Sequence, residues 1–415
     1  FVMIYSSLSG LLGVSIADFF QFILAMSGTI ILAFLVVNSE KIGGMSGLKE
    51  KLAPETLEFL PQLNFSGKSL AEQGQVFIIS FATFFAYVGV QWWASWYPGA
   101  EPGGGGYVAQ RMMSTPKEKD ALKATLFFQI AHYAIRPLPW IIVALCAIHL
   151  YPDLGVDDKK MGYVLAMRDF LPSGLRGLLL VAFLAAYMST ISTQLNWGSS
   201  YVINDLYQRF IRPEANQKQL VWASRVATFL LMVVALIVTS QIDTLENAFK
   251  FMIEAGAGLG AVLILRWYWW RINAWSEISA TIAPFFGFAL ALYYKLAFPY
   301  SLFLTAGITT IIWVLVTFLT KPTQMRQLKD FYLRVEPQGA WKPVIQELGI
   351  SQPPNQIPQL LLACISAMLM AYSVLFLVGE LLFMNWYSAL IYGGILLVSF
   401  LSLRWVSGRL QIFQD

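Results

Sequence analysis

Oxygen-bearing side chains crowd one stretch of an otherwise apolar segment. Ser189, Thr190, Ser192, Thr193, Asn196 and Ser199–Ser200 fall in a run that carries no charge from Leu184 until Asp205. Starting at Ser189, all of these except Thr190 recur at i, i+3, i+4, i+7 and i+10/i+11. At about 100° per residue that spacing gathers them on one side of a helix. A helix satisfies its own backbone inside a bilayer, so the side-chain oxygens need a separate reason to share a face. Sodium prefers hard oxygen donors, and Ser189 and Thr190 with a carbonyl one turn earlier, near Ala186, would supply part of such a shell. Serine and threonine also bond back to the i−4 carbonyl or join helices, so that reading stays open.

Other candidates stand on neighbouring segments. Asp18, in Ser15-Ile-Ala-Asp-Phe-Phe-Gln21, opens an apolar run. There it either faces helix N–H groups and the dipole or meets the oxygen stripe from an adjacent helix. The densest aromatic stretch runs from Trp92 to Tyr107 and includes Trp93, Trp96, Tyr97 and Glu101. Aromatic belts mark membrane interfaces, whereas rings beside the break Pro98–Gly106 also suit the wall of a solute site. The four glycines Gly103–Gly106 lack a following Lys-Ser/Thr pair, so a phosphate loop is rejected. His132 and Arg136 lie inside a span that also holds Pro137 and Pro139, and Glu254 lies in another. Intramembrane charges are functional candidates and usually pair, and Glu254 with Arg136 is one such pairing. No catalytic triad, metal-ligand cluster or nucleotide fingerprint is present, which argues against an enzyme.

The elements that must hold these residues are membrane helices. The chain is 57% hydrophobic and only 13% charged, with a mean hydropathy of +0.60; soluble domains carry about 25% charge. The net charge of +4 gives no reason to expect a nucleic-acid partner. Cys146 and Cys364 both sit in apolar runs and read as core thiols. After a stub at Phe1–Leu12, spans are expected at Phe19–Val37, Val76–Trp96, Leu122–Leu150, Leu175–Val202, Val221–Thr239 and Phe249–Leu265. Four more follow at Ile278–Leu296, Leu302–Leu319, Pro358–Val378 and Trp386–Leu403. Gly256–Gly260 lightens the helix that carries Glu254. The basic connectors Arg111–Lys123, Arg209–Lys218, Arg266–Arg271 and Lys321–Lys342 fall on alternate connections and are assigned to the cytoplasm. Ser39–Gln73 and Asp153–Asp169 then lie outside, and the amphipathic Lys321–Lys342 segment is expected along the membrane surface. Phe1 starts mid-apolar, so earlier helices are expected before it.

Three stretches carry a resemblance to a known family. Tyr5-Ser-Ser-Leu-Ser-Gly-Leu-Leu, then Ala17-Asp-Phe-Phe-Gln21, form the first. Tyr107-Val-Ala-Gln-Arg111 followed by Lys117–Lys123 is the second. Leu171-Pro-Ser-Gly-Leu-Arg-Gly-Leu178, then Ala185-Ala-Tyr-Met-Ser-Thr, with Asp205-Leu-Tyr207, is the third and most specific. Together these resemble the sodium:solute symporter family over roughly residues 1–320. The resemblance implies an all-α polytopic membrane protein with a leucine-transporter-type inverted-repeat fold, its first repeat incomplete. The segments would be 1–38, the remnant of the first repeat (the end of one helix plus one full span), and 39–73, an external loop. A second five-helix repeat would occupy 74–272, and two further spans 273–320. A cytoplasmic amphipathic segment at 321–356 and two C-terminal spans with a tail at 357–415 complete the chain.

By the same resemblance, Ala186, Ser189 and Thr190 would hold the main sodium ion, and Asp18, Ser192 and Thr193 a second. Trp93, Trp96, Tyr97, Glu101, His132 and Glu254 are the substrate candidates. In sugar-carrying members a shorter aromatic-Gly-x-Asn-Gln pattern replaces the Trp96–Gly106 stretch, and a lysine stands at the place of His132. The implied function is sodium-coupled import of a small polar solute (a sugar, amino acid or carboxylate) by alternating access across a bacterial inner membrane. Sodium is the coupling ion and no organic cofactor is expected. The alternative is a transporter-like sensor that binds solute without accumulating it; vesicle accumulation separates the two.

Overall fold

The computed structural model describes residues 2–57, 81–95, 106–242 and 245–410. Its helices are α1 (Val2–Val37), α2 (Gly44–Lys51), α3 (residues 86–94) and α4 (Gly106–Met113). Then come α5 (Glu118–Leu150), α6 (Gly162–Phe170), α7 (Ser173–Ile211) and α8 (Gln217–Thr239). They are followed by α9 (Leu245–Ala255), α10 (Leu259–Tyr268), α11 (Ala274–Tyr293) and α12 (Tyr300–Leu319). The chain ends with α13 (Met325–Val335), α14 (Lys342–Leu348), α15 (Ile357–Leu382) and α16 (Trp386–Arg409). Among the described residues the only β contact is an isolated bridge between Trp269 and Ala340. Among the described residues eight helices are long and apolar enough to cross a bilayer, so the chain is a multi-pass membrane protein.

These eight match eight of the ten spans read from the sequence. The span read as Val76–Trp96 lies partly outside the described residues. The span read as Phe249–Leu265 is broken at Gly256–Gly258 into α9 and α10. Gly258 adopts φ +104, a left-handed conformation that only glycine takes without strain. The stub and first span are joined in the 36-residue α1, since no proline or glycine pair between Leu12 and Phe19 stops the helix.

The chain divides into two compact units, each assembled from non-adjacent stretches. One comprises residues 1–61, 116–240 and 362–415, and the other residues 62–115 and 241–361. In the first unit α1 packs along α7, where Gly28 meets Leu179. Leu32 and Val36, late in α1, share a core with Val143 of α5, Met167 of α6 and Leu171 just before α7. The two helices therefore run antiparallel. Asn38 and Ser39 close α1 by donating to the carbonyls of Phe34 (2.8 Å) and Val36 (2.7 Å). α8 begins with a capping box, in which Asn216 accepts from the Gln219 amide at 3.0 Å and Gln219 answers at 3.1 Å. Beside the connection to α6, Arg168 bonds Asp169 at 2.7 Å and holds that carboxyl below its usual range, helped by the Tyr151 hydroxyl at 2.9 Å.

In the second unit α11 and α12 pack closely at Gly287, where an added Cβ would lie 2.8 Å from the Thr305 Cα. Small residues let membrane helices approach this far. The neighbour is backbone, so Gly287→Ala must push the helices apart. It is expected to cost about 1–3 kcal/mol, read as an earlier thermal transition in detergent with the helix content unchanged. Below the pair, α13 and α14 bury Leu328, Tyr332, Val344 and Ile345 around Trp341. The Trp341 indole donates to the Trp267 carbonyl at 3.0 Å. Part of the apolar face of this segment is thus covered by the chain's own residues, while Leu333 and Val335 stay exposed.

Candidate functional site

Within the first unit the oxygen stripe of α7 divides into three parts. At its start Thr190 Oγ1 donates to the Ala186 carbonyl at 3.1 Å. Ala186 and Thr190 are exposed and Ser189 is half-buried. The back-bond is the local pairing that threonine makes in any helix. It also brings two of the expected ligand oxygens together and leaves lone pairs on the hydroxyl. In the middle, Ser192 and Thr193 are buried, and Ser192 donates to the Ser189 carbonyl at 3.1 Å. At the far end Ser199 is tied to α8, with its hydroxyl 2.8 Å from that of Ser224 and 3.1 Å from the Ser224 carbonyl. Here helix joining accounts for the polar residue. The stripe is therefore ion-compatible only in its first two thirds.

The packing of α1 on α7 sets which α1 residue shares that level. Gly28 meets Leu179. In an antiparallel pair, ten residues back along α1 and ten residues on along α7 bring the Asp18 and Ser189 backbones level. The Asp18 side chain lies outside the described residues.

α5 places His132 and Arg136 near its centre. Pro137 has no N–H and would clash with the carbonyl four residues earlier, and α5 relieves this with a π-helical turn at Ala131–Ile135. The Arg136 amide accordingly donates to the Ala131 carbonyl at 2.9 Å, five residues back. Arg136 Nη1 sits 2.9 Å from His132 Nδ1. A guanidinium only donates, so Nδ1 accepts and the ring proton lies on Nε2. Phe128 stacks on His132 with ring centroids 4.9 Å apart, and Arg136 lies 5.0 Å from the Trp140 ring centre. Among the described residues no carboxylate pairs with Arg136.

In the second unit Glu254 is 7% exposed and its Oε1 accepts from Ser301 of α12 at 2.7 Å. Glu254 and Arg136, a pairing suggested by the sequence, fall in different units, and each has a partner within its own. Trp93 donates its indole N–H to the Gly89 carbonyl at 2.7 Å, across the π-helical turn Ala86–Gln91. Trp93 and Ile253 border one core, made of Ala86, Ala94, Ala257 and Leu302. Trp96, Tyr97 and Glu101 lie outside the described residues. Sequence reasoning missed Ser301 and Ser95 as partners of the α9–α10 break, because both contacts bridge long stretches of chain. It also missed the π-helical turns; in α5 the Pro137 that follows Arg136 was the available signal.

Comparison with known proteins agrees with this architecture. The profile of the sodium:solute symporter family matches residues 1–283. The chain is 27% identical over 292 residues to the osmoregulated proline transporter OpuE of Bacillus subtilis, covering 68% of this chain and 53% of that one. It is 26% identical over 300 residues to the sodium/proline symporter of Escherichia coli, again covering 68% and 53%. The chain thus spans about half the length of the curated relatives it matches. A solved structure described as the substrate-bound outward-open state of a Na+-coupled sialic acid symporter superposes with a TM-score of 0.50. That match has 19% identity over 78% of this chain and 66% of that one, and it supports the leucine-transporter-type fold. The relatives are transporters and not enzymes. With the family profile matching well over half of its length, the chain belongs to the sodium:solute symporter family.

Proposed function

We propose that the intact protein is a sodium-coupled symporter that imports a small carboxylate-bearing solute by alternating access across a bacterial inner membrane. The observation that carries this reading is the open oxygen group of α7, where Thr190 Oγ1 and the Ala186 carbonyl lie 3.1 Å apart beside Ser189 in the middle of a span. Sodium coordinated there would hold the protein open to the outside until solute binds. Each sodium entering down a 100 mV potential contributes about 2.3 kcal/mol, on top of its concentration gradient. Asp18 with Ser192 and Thr193 is the proposed place for a second ion, supported by the shared backbone level of Asp18 and the stripe.

A carboxylate-bearing solute is favoured by Arg136. A guanidinium near the middle of the Glu118–Leu150 span needs a counter-charge, and a solute carboxylate would provide one. The proline of the named relatives carries a carboxylate, as does the sialic acid of the structural neighbour. His132 is then a positioning residue that fixes the guanidinium plane.

The test is uptake into proteoliposomes of labelled proline and a panel of amino acids, carboxylates and sugars. Accumulation should require sodium and vanish when potassium replaces it. Arg136→Gln should raise the KM for the transported carboxylate at least tenfold, with Arg136→Lys intermediate. Neutral amides of the solute should compete poorly. Equal accumulation without sodium would overturn the coupling. Transport of uncharged sugars with an unchanged KM in Arg136→Gln would overturn the solute class.

A further inference from the structure

The α9–α10 break is built around a negative charge without a visible counter-charge. Glu254 is 7% exposed, and its one described partner is the Ser301 hydroxyl at 2.7 Å. Among the described residues no lysine, arginine or histidine forms an ion pair with it. A single neutral donor does not compensate a carboxylate removed from water, because buried charges are paired or coordinate a metal ion.

The surroundings of Glu254 are rich in oxygen. Two residues on, the chain leaves the helical path, and Ala257 and Leu259 bond three residues back, to the Glu254 and Gly256 carbonyls at 3.2 Å each. The turn is clamped from α3, where the Ala94 carbonyl accepts from the Gly258 amide at 2.8 Å. There too Ser95 Oγ donates to the Ile253 carbonyl at 2.7 Å. From the other side α12 brings Ser301 to Glu254 and Thr309 to Gly258, each of these two hydroxyl residues at most 3% exposed. Thr309 Oγ1 is buried and has no hydrogen-bond partner, and it lies 3.3 Å from the place a Gly258 Cβ would take. The break thus offers a carboxylate, hydroxyls and irregular backbone carbonyls. Unwound helices use this donor chemistry to hold alkali-metal ions.

We propose that Glu254, Ser301 and the carbonyls of the break bind a monovalent alkali cation, at a site on the second unit additional to the α7 site of the first. The cation neutralises Glu254 and fixes the break against α12. The inference rests on the uncompensated carboxylate and stands whether or not the protein transports proline-like solutes.

The experiment is equilibrium binding of ²²Na⁺ to the purified intact protein in detergent without solute, with potassium and lithium as competitors. Glu254→Gln should bind one alkali ion fewer per chain than the wild type, while Ser189→Ala weakens a different ion, so that the double variant shows both effects. Ser301→Ala keeps the charge and the fold, and should weaken the Glu254-dependent ion about tenfold. That variant decides the matter if Glu254→Gln does not yield folded protein. Wild-type stoichiometry and affinity in Glu254→Gln, or an unchanged isotherm in Ser301→Ala, would overturn the proposal. The outcome is independent of the uptake experiments, so loss of this site and loss of symport are separately visible.

Discussion

Thr190→Ala is expected to reduce sodium-stimulated uptake by the intact protein at least tenfold at physiological sodium, with Ser189→Ala similar in size. Both residues lie on α7, where Thr190 Oγ1 donates to the Ala186 carbonyl at 3.1 Å beside Ser189. Removing a neutral group that faces a charge costs about 1.5–3 kcal/mol, which is roughly a 10- to 150-fold loss of ion affinity. The alternative role of Thr190 is its back-bond to Ala186, which contributes little to stability. The two roles predict different data. If the hydroxyl holds sodium, the apparent sodium affinity falls, raising sodium restores the rate, and Thr190→Ser retains most of the activity. If it only decorates the helix, uptake against sodium concentration stays superimposable on the wild type. Ser199→Ala, whose hydroxyl is already engaged by Ser224, is the internal control and should leave the sodium curve in place.

Gly258→Val should reduce the accumulation of folded protein several-fold. Gly258 has φ +104, and any Cβ there would lie 2.5 Å from both Cβ and Cγ2 of Thr309. A β-branched residue in that backbone region is strained by about 1–3 kcal/mol, and forcing atoms into a packed contact adds about 1–3 kcal/mol more. The Gly258 amide also supplies the bond to Ala94, so movement of the turn disturbs α3 as well. Expression as a fluorescent fusion followed by size-exclusion chromatography gives the readout: the monodisperse peak should shrink several-fold. Thr309→Gly removes the obstructing side chain and should recover part of it, leaving the backbone strain. A Gly258→Val protein as abundant and heat-stable as the wild type would show that the break is looser than described.

What the sequence made legible follows from what controls each feature. Span positions depend on runs of apolar residues, a local property, so eight of them lie where hydropathy placed them. The oxygen stripe was visible because helical periodicity alone puts Ser189, Ser192 and Thr193 together. Its division was not visible, because the fate of Ser199 depends on Ser224, which a turn and another helix bring alongside. Glu254 was noticed as a charge in a span, but its partner Ser301 lies 47 residues away and no local pattern points there. The break between α9 and α10 was half legible: the glycines permit it, while the Ala94 carbonyl and Thr309 fix it at Gly258. The hairpin of α13 and α14 showed an amphipathic pattern, and only contacts with Trp267 in α10 and Trp270 just after it reveal what packs there.

The π-helical turn of α5 has a consequence for comparing this chain with others. An i→i−5 bond accommodates one more residue than the helix around it needs. Residues 118–130 and 138–150 therefore follow two helical wheels offset by about 100°, and a facing assignment made on one side of Ala131–Ile135 does not carry across it. A relative lacking the turn would align without a gap before it and be one residue out of step after it, with His132 and Arg136 at the seam. Length changes of a single residue, ordinarily ruinous inside a membrane helix, become tolerable at this place. Family members could thus re-aim the two side chains by insertion or deletion as well as by substitution.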